Sequence, residues 1–210
     1  MVIMGKVLNL YCGIGGNRKL WKDVDVTAVD IDPKIAEIYQ DFFPEDMVIV
    51  GDAHQYLLEH YDDGWDFIWS SPPCPSHSDM RRCRVHSGHV RAIYPDMSLY
   101  QEIILLGNFV KHPYVVENVR PYYEPLIEPQ IVSRHSFWSN FHIPPFFDGR
   151  KFNLTKVSWK IISEFYGIDI SDYDVDQYGK RQMLRNCVNP KLGLHIFNSR
   201  NNQTTLEEWR

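Results

Sequence analysis

Five short apolar runs, mostly separated by stretches of helical periodicity, fill the first 119 residues of this chain. The runs are "KVLNLYC" (6–12), "VDVTAVDID" (24–32), "MVIVGDA" (47–53), "WDFIWSS" (65–71) and "YVVENV" (114–119). Between them, "PKIAEIYQDFF" (33–43) has proline at a first helical position and an apolar face of Ile35, Ile38, Tyr39 and Phe42. "HQYLLEHY" reads as a short helix, and "DMSLYQEIILLGNFVKH" (96–112) as a longer one with Leu99, Ile103, Leu106 and Val110 on one side. Parallel strands joined through helices require right-handed crossovers, so this order predicts a doubly wound, mainly parallel α/β sheet.

Beyond Asn118 the texture changes to prolines and aromatics, as in "PYYEPLIEP" and "FWSNFHIPPFFDG", with weak periodicity. One helix is expected in "VSWKIISEFYGI", and another starting near Pro190. With 210 residues and 44% hydrophobic composition, one domain with a substantial core is the economical expectation, elaborated within about 142–180. No apolar run approaches the roughly 18 residues of a membrane span, and the first residues lack a signal-peptide layout. A cytoplasmic protein that does not engage membranes is expected. Four cysteines without CxxC spacing disfavour a zinc knuckle or a disulfide framework, and no metal site is expected. A net charge of −5 argues against whole-chain attraction to nucleic acid, yet "MRRCRVHSGHVR" (80–91) carries four arginines and two histidines without an acid. Such a local basic loop can bind phosphates.

The strand ends carry the chemistry. The first runs into "GIGG", whose spacing is wrong for a dinucleotide fingerprint but leaves backbone N–H groups free at a close-approach turn. The second ends at Asp30, suited to ribose hydroxyls, and the third at Asp52. A glycine turn followed by two acids at successive strand ends makes an adenosine-type site of the class used by S-adenosylmethionine. Cys74 follows the rigid Pro72–Pro73 pair at the fourth strand end, with Arg81, Arg82, Arg84, His86, His89 and Arg91 downstream as a mobile loop. Cationic neighbours are what a nucleophilic thiol requires, although a free cysteine can equally be a small buried hydrophobe. Glu117 lies inside an apolar strand, where an acid must be paired or functional.

The order "LYCGIGG", "VDID", "GDA", "SSPPCPS", "VVENV" resembles the motif series of the DNA (cytosine-5) methyltransferases. "RHSFWSNF" (134–141) and "RQMLRNCVNPKLGLHI" (181–196) are similar to that family's later arginine-bearing and pocket-completing segments, as in a compact, phage- or prophage-type member. The resemblance implies a Rossmann-like, S-adenosylmethionine-dependent methyltransferase fold. In the implied chemistry Cys74 adds to cytosine C6, Glu117 holds or protonates N3, and Arg134, favoured over His135, faces O2. The target base is rotated out of double-stranded DNA. Cys12, Gly13, Ile14, Gly15 and Gly16 would surround the methionine portion of the cofactor. Asp30 would bind ribose, Ile31 pack on adenine, and Asp52 contact its amino group. Tyr11, Ala53, Pro72, Leu99, Asn186 and Val188 would complete the pocket. Ser76, Ser78, Arg81, Arg82, Arg84, Arg91, Asn118 and His135 would meet the nucleic acid, Asn118 also supporting Glu117 and the loop.

The chain departs from the family pattern in three ways. Pro75 replaces the usual glutamine after Pro–Cys, Arg134 stands without a second arginine, and the recognition region is reduced to about 40 residues. Relaxed specificity, or help from a second chain, follows from that brevity. Two other readings stay open: a catalytically silent DNA-binding homologue, and an amino-methyltransferase acting on cytosine N4 or adenine N6, whose motif "SSPPC" partly resembles.

Overall fold

The computed structural model describes residues 5–150, 152–154 and 156–201. Seven strands form one mixed sheet in the order β3-β2-β1-β4-β5-β7-β6. Strands β1 (Gly5–Leu10), β2 (Val24–Asp30), β3 (Met47–Val50), β4 (Phe67–Ser70) and β5 (Tyr114–Val119) run parallel. The hairpin β6 (Gln130–Val132) and β7 (His135–Ser139) adds antiparallel strands beyond β5. The chain runs outward from β1 to β3 and then returns to place β4 on the other side of β1. The carboxyl ends of β1 and β4 therefore flank the switch point where doubly wound sheets bind ligands.

Strand alternation sorts the core into two layers. Val7, Val26, Ala28, Phe67, Trp69, Val115 and Phe137 pack with Tyr39 of α1 (Pro33–Phe42) and with Leu192, Ile196 and Phe197 of α7 (Pro190–Ser199). Leu8, Leu10, Val29, Ile68, Val116 and Trp138 turn the other way, onto α2 (Ala53–His60) and α4 (Ser98–Phe109). A third cluster joins Ile14 and Ile38 to Ile162, Tyr166 and Leu184 of α5 (Trp159–Tyr166) and α6 (Gln177–Asn186). Through it the elaboration rests on the turn after β1. The expected doubly wound, mainly parallel α/β architecture is the observed one.

Local structure corrects the sequence reading in three places. Residues 76–95 were expected as a loop, but α3 (Asp79–His86) fills much of it. Ser78 caps it by accepting from Arg81 N, and Asp79 pairs with Arg82 one turn on. The weakly periodic aromatic region holds the β6–β7 hairpin, and α6 forms ahead of the helix expected at Pro190. No described helix is long and apolar enough to cross a membrane.

Candidate active site

The turn after β1 starts at Tyr11, one of three non-glycine residues with positive φ among the described residues (53°). Gly13 follows at φ 54° with open space where a side chain would project, and its N–H donates to Asp30 Oδ2 (3.0 Å). A Cβ on Gly16 would lie 2.6 Å from Cys187 Cβ and 2.7 Å from the Val188 carbonyl oxygen. Glycine there lets the turn pack directly on the α6–α7 junction, beside Asn186 and Val188. Gly15 N donates to the Cys12 carbonyl, which closes the turn. At the neighbouring strand ends Asp30 also accepts from Asp32 N, and Asp52 caps α2 by accepting from His54 N and Gln55 N. Ile31 stands 71% exposed at this edge, whereas Cys12, Ile14, Ala53, Leu99 and Val188 are buried.

Beneath the turn lies a carboxylate that the sequence reading passed over. Glu102 is 1% exposed and accepts from Tyr11 Oη (2.6 Å), Ser70 Oγ (2.5 Å) and His54 Nδ1 (2.9 Å). Three donors on one buried carboxylate tie the ends of β1 and β4 to the start of α2. The signal was present in sequence, because position 102 falls on the apolar face marked by Leu99, Ile103 and Leu106.

Cys74 is half-buried at the mouth of the turn after β4, and its carbonyl accepts from His77 N and Ser78 N. Pro72, buried, is held by Asn118 Nδ2, which donates to its carbonyl (3.0 Å). Asn118 is 1% exposed, so it positions the Pro–Pro–Cys turn and cannot reach a nucleic acid, contrary to that expectation. Ser76 is likewise buried, accepting from Asp96 N to close the base of the loop. Ser78 serves as the helix cap, Arg81 donates to the Arg91 carbonyl, and Arg82 pairs with Asp79. Arg84 and Arg91 remain exposed. Burial, with Glu117 adding to it, pushes the Cys74 thiol up to about 11, while Arg134 and Arg185 oppose the rise. Arg185, half-buried, also donates to Met80 Sδ (3.5 Å) and so touches the start of α3.

Glu117 shares a sheet face with Val115, and β5–β7 pairing sets it opposite Phe137, diagonal to His135. His135 Nδ1 lies 2.5 Å from Glu117 Oε1, and Arg134 Nε donates to His135 Nε2 (3.2 Å). The buried His135 thus lies beside Glu117, and Arg134 is exposed at the hairpin tip. Among the described residues no group of three or more His, Cys, Asp or Glu could hold a metal ion.

The strand ends thus bring a glycine turn, two acids, a thiol and a buried acid to one edge. The family model described as C-5 cytosine-specific DNA methylase matches residues 5–119, more than half of the chain. The chain belongs to this family. The family's cytosine-C5 description favours the C5 reading over the amino-methyltransferase one. The human tRNA (cytosine(38)-C(5))-methyltransferase is 29% identical over 116 residues, a match spanning 49% of this chain and 30% of that relative. The Schizosaccharomyces pombe Dnmt2 methyltransferase structure superposes with a TM-score of 0.59 at 12% identity, covering 98% of this chain and 99% of its own. The Entamoeba histolytica methyltransferase EhMeth gives 0.57 at 11%, covering 99% of both chains. These likenesses show the Rossmann-like methyltransferase fold.

Proposed function

We propose that this family member transfers a methyl group from S-adenosylmethionine to C5 of a cytosine in double-stranded DNA, the base being rotated out of the helix and bound covalently through Cys74. The observation that carries the reading is the union of thiol and acid. Asn118 ties the Cys74 turn to β5, and Glu117 is the neighbouring residue on that strand. The cofactor edge fits as well. Gly13 is open, Ile31 presents an exposed apolar face for adenine, and Asp30 and Asp52 offer carboxylate oxygens for ribose and the amino group.

In this reading Cys74 Sγ bonds to C6, and the C5=C6 electrons move through C4 onto N3. Glu117 places a proton on N3, which leaves C5 a carbon nucleophile. S-adenosylmethionine, when bound, supplies the electrophilic methyl group. Loss of the C5 proton and departure of the Cys74 thiolate then restore the ring. Arg134 and Arg185 hold the thiol below the value its burial alone would set; at the resulting value of about 11, roughly one molecule in 10⁴ is thiolate at pH 7. Exposed Arg84 and Arg91 on and after α3 supply phosphate contacts.

Duplex DNA containing 5-fluorocytosine tests the reading, since that base traps the Cys74 adduct. A gel-shifted covalent complex that Cys74→Ser abolishes is expected, together with labelled methyl transfer to ordinary DNA. Cofactor binding without transfer to any nucleic acid would instead identify a silent homologue. A second reading, with RNA as substrate, draws on the tRNA-acting relative and the short recognition segment. Labelling of RNA but not DNA would establish it.

A further inference from the structure

His135 occupies an unusual position for a histidine, because both ring nitrogens are committed. Arg134 Nε–H donates to Nε2 at 3.2 Å, and a guanidinium does not give up its proton. Nε2 must therefore be bare, and Nδ1 carries the single ring proton toward Glu117 Oε1 at 2.5 Å. This arrangement holds a neutral imidazole against a carboxylate, and so contains no proton that Glu117 could hand to a base. His135 is 9% exposed, and Phe137 packs 6.0 Å from its ring. With Nδ1 turned to Glu117, a solvent proton entering the imidazole does so at the Nε2 edge, where Arg134 donates. Arg134 itself sits with Ser133 in the two-residue turn between Val132 and His135, at the exposed tip of the hairpin. Its side chain can leave without disturbing either strand.

We propose that His135 supplies the proton that Glu117 passes to N3 of the target cytosine, and that Arg134 withholds this proton until its guanidinium moves to the substrate. The inference rests on the methyltransferase reading above. Attraction of Arg134 to the cytosine or its phosphates frees Nε2, which takes one proton from solvent water. The imidazolium gives its Nδ1 proton to Glu117, and Glu117 gives one to N3 as the Cys74–C6 bond forms. His135 ends neutral, and the proton returns to solvent when N3 is deprotonated on release. The charged and titratable groups around the relay are Glu117 on β5, Arg134 on its own turn, and Cys74 beside Glu117, with Tyr166, Arg150 and Asp148 facing Arg134.

Two measurements on the full chain test this. Imidazole ¹⁵N NMR, with His135 assigned by its loss in His135→Gln, reads the proton directly. The Nδ1–H form is expected in the wild type at neutral pH, with Nε2 gaining a proton in Arg134→Ala. An Nε2–H form in the wild type, or an unchanged Arg134→Ala spectrum, would overturn the proposal whatever the substrate. The second measurement follows adduct formation on 5-fluorocytosine DNA against pH. His135→Gln can still donate to Glu117 but cannot relay a proton, so a loss of about 10²-fold, the low end for general acid catalysis, is expected. Its acid-dependent limb should be altered as well. A wild-type adduct with His135→Gln reacting equally fast sinks the relay alone. No wild-type adduct on DNA or RNA sinks the methyltransferase reading too. Should His135→Gln fail to fold, His135→Asn replaces it both for the assignment and in the adduct assay.

Discussion

Replacing Asn118 by alanine isolates the contact that holds the Cys74 turn to the sheet. The side chain donates to the Pro72 carbonyl at 3.0 Å and accepts from Val119 N at 2.9 Å, with 1% exposure. Truncation orphans the buried Pro72 oxygen, which costs about 1–3 kcal/mol, and weakens the half-buried Val119 N–H by less. The missing amide also leaves a small void. A total near 3 kcal/mol follows, out of the roughly 5–15 that hold a domain together. For a chain of this size that is a fall in melting temperature of about 6–12 °C. Urea unfolding followed by tryptophan fluorescence measures it. A change below about 0.5 kcal/mol would refute the claim that Asn118 satisfies buried groups. Asn118→Asp sharpens the test. A carboxylate facing the Pro72 carbonyl is favourable only when protonated, so its folded pKa rises above the unfolded value near 4. The folded state then binds more protons, and stability must fall as pH rises through that window. A variant that gains stability with pH would reverse the sign and sink the argument.

Other outcomes follow from the same geometry. In a Cys83→Ser background, alkylation of Cys74 should accelerate about tenfold per pH unit from 7 to 10 and level off only near 11; a plateau below pH 8 would contradict its burial. Arg185→Ala should slow alkylation at fixed pH, since it removes a cation that opposes the rise in the thiol pKa. Gly16→Ala forces a Cβ against Cys187 and the Val188 carbonyl, and should cost about 1–3 kcal/mol in unfolding experiments and weaken S-adenosylmethionine binding in calorimetry. The hydrogen bond to Glu102 raises the His54 pKa, so that contribution is present below about 6.5 and is lost as pH rises through the folded value. Glu102→Gln should therefore narrow the stability difference between pH 6 and pH 8; an unchanged difference would show that His54 is not the group responsible.

Much of this arrangement was legible because strand ends announce themselves. Asp30, Asp52 and the Pro72–Pro73 pair mark where apolar runs stop, and the doubly wound topology carries all of those ends to one edge. Helix α3 was hidden because its eight residues bury no side chain. Its formation depends on a Ser78 cap and one ion pair, which leave no apolar period to read. Strand β7 escaped for the opposite reason. Phe137 and Trp138 feed different core layers, so both faces are apolar and no polar alternation remains. The pairing of His135 with Glu117 needed the β5–β7 register, which local sequence does not encode.

The placement of the segment between β7 and α6 also bears on the thiol. Arg134 precedes β7 and Arg185 ends α6, so the two cations that counter the burial of Cys74 bracket the elaboration between them. That segment is anchored through Ile162, Tyr166 and Leu184 onto Ile14 of the glycine turn and Ile38 of α1. Arg185 touches Met80 at the start of α3. A short insertion packed this way holds α6, and with it Arg185, near Cys74 through the same cluster that supports the glycine turn. On the proposed function, a longer insertion would reach further along the nucleic acid but loosen the anchoring of Arg185, so compactness favours the reactivity of Cys74 over reach.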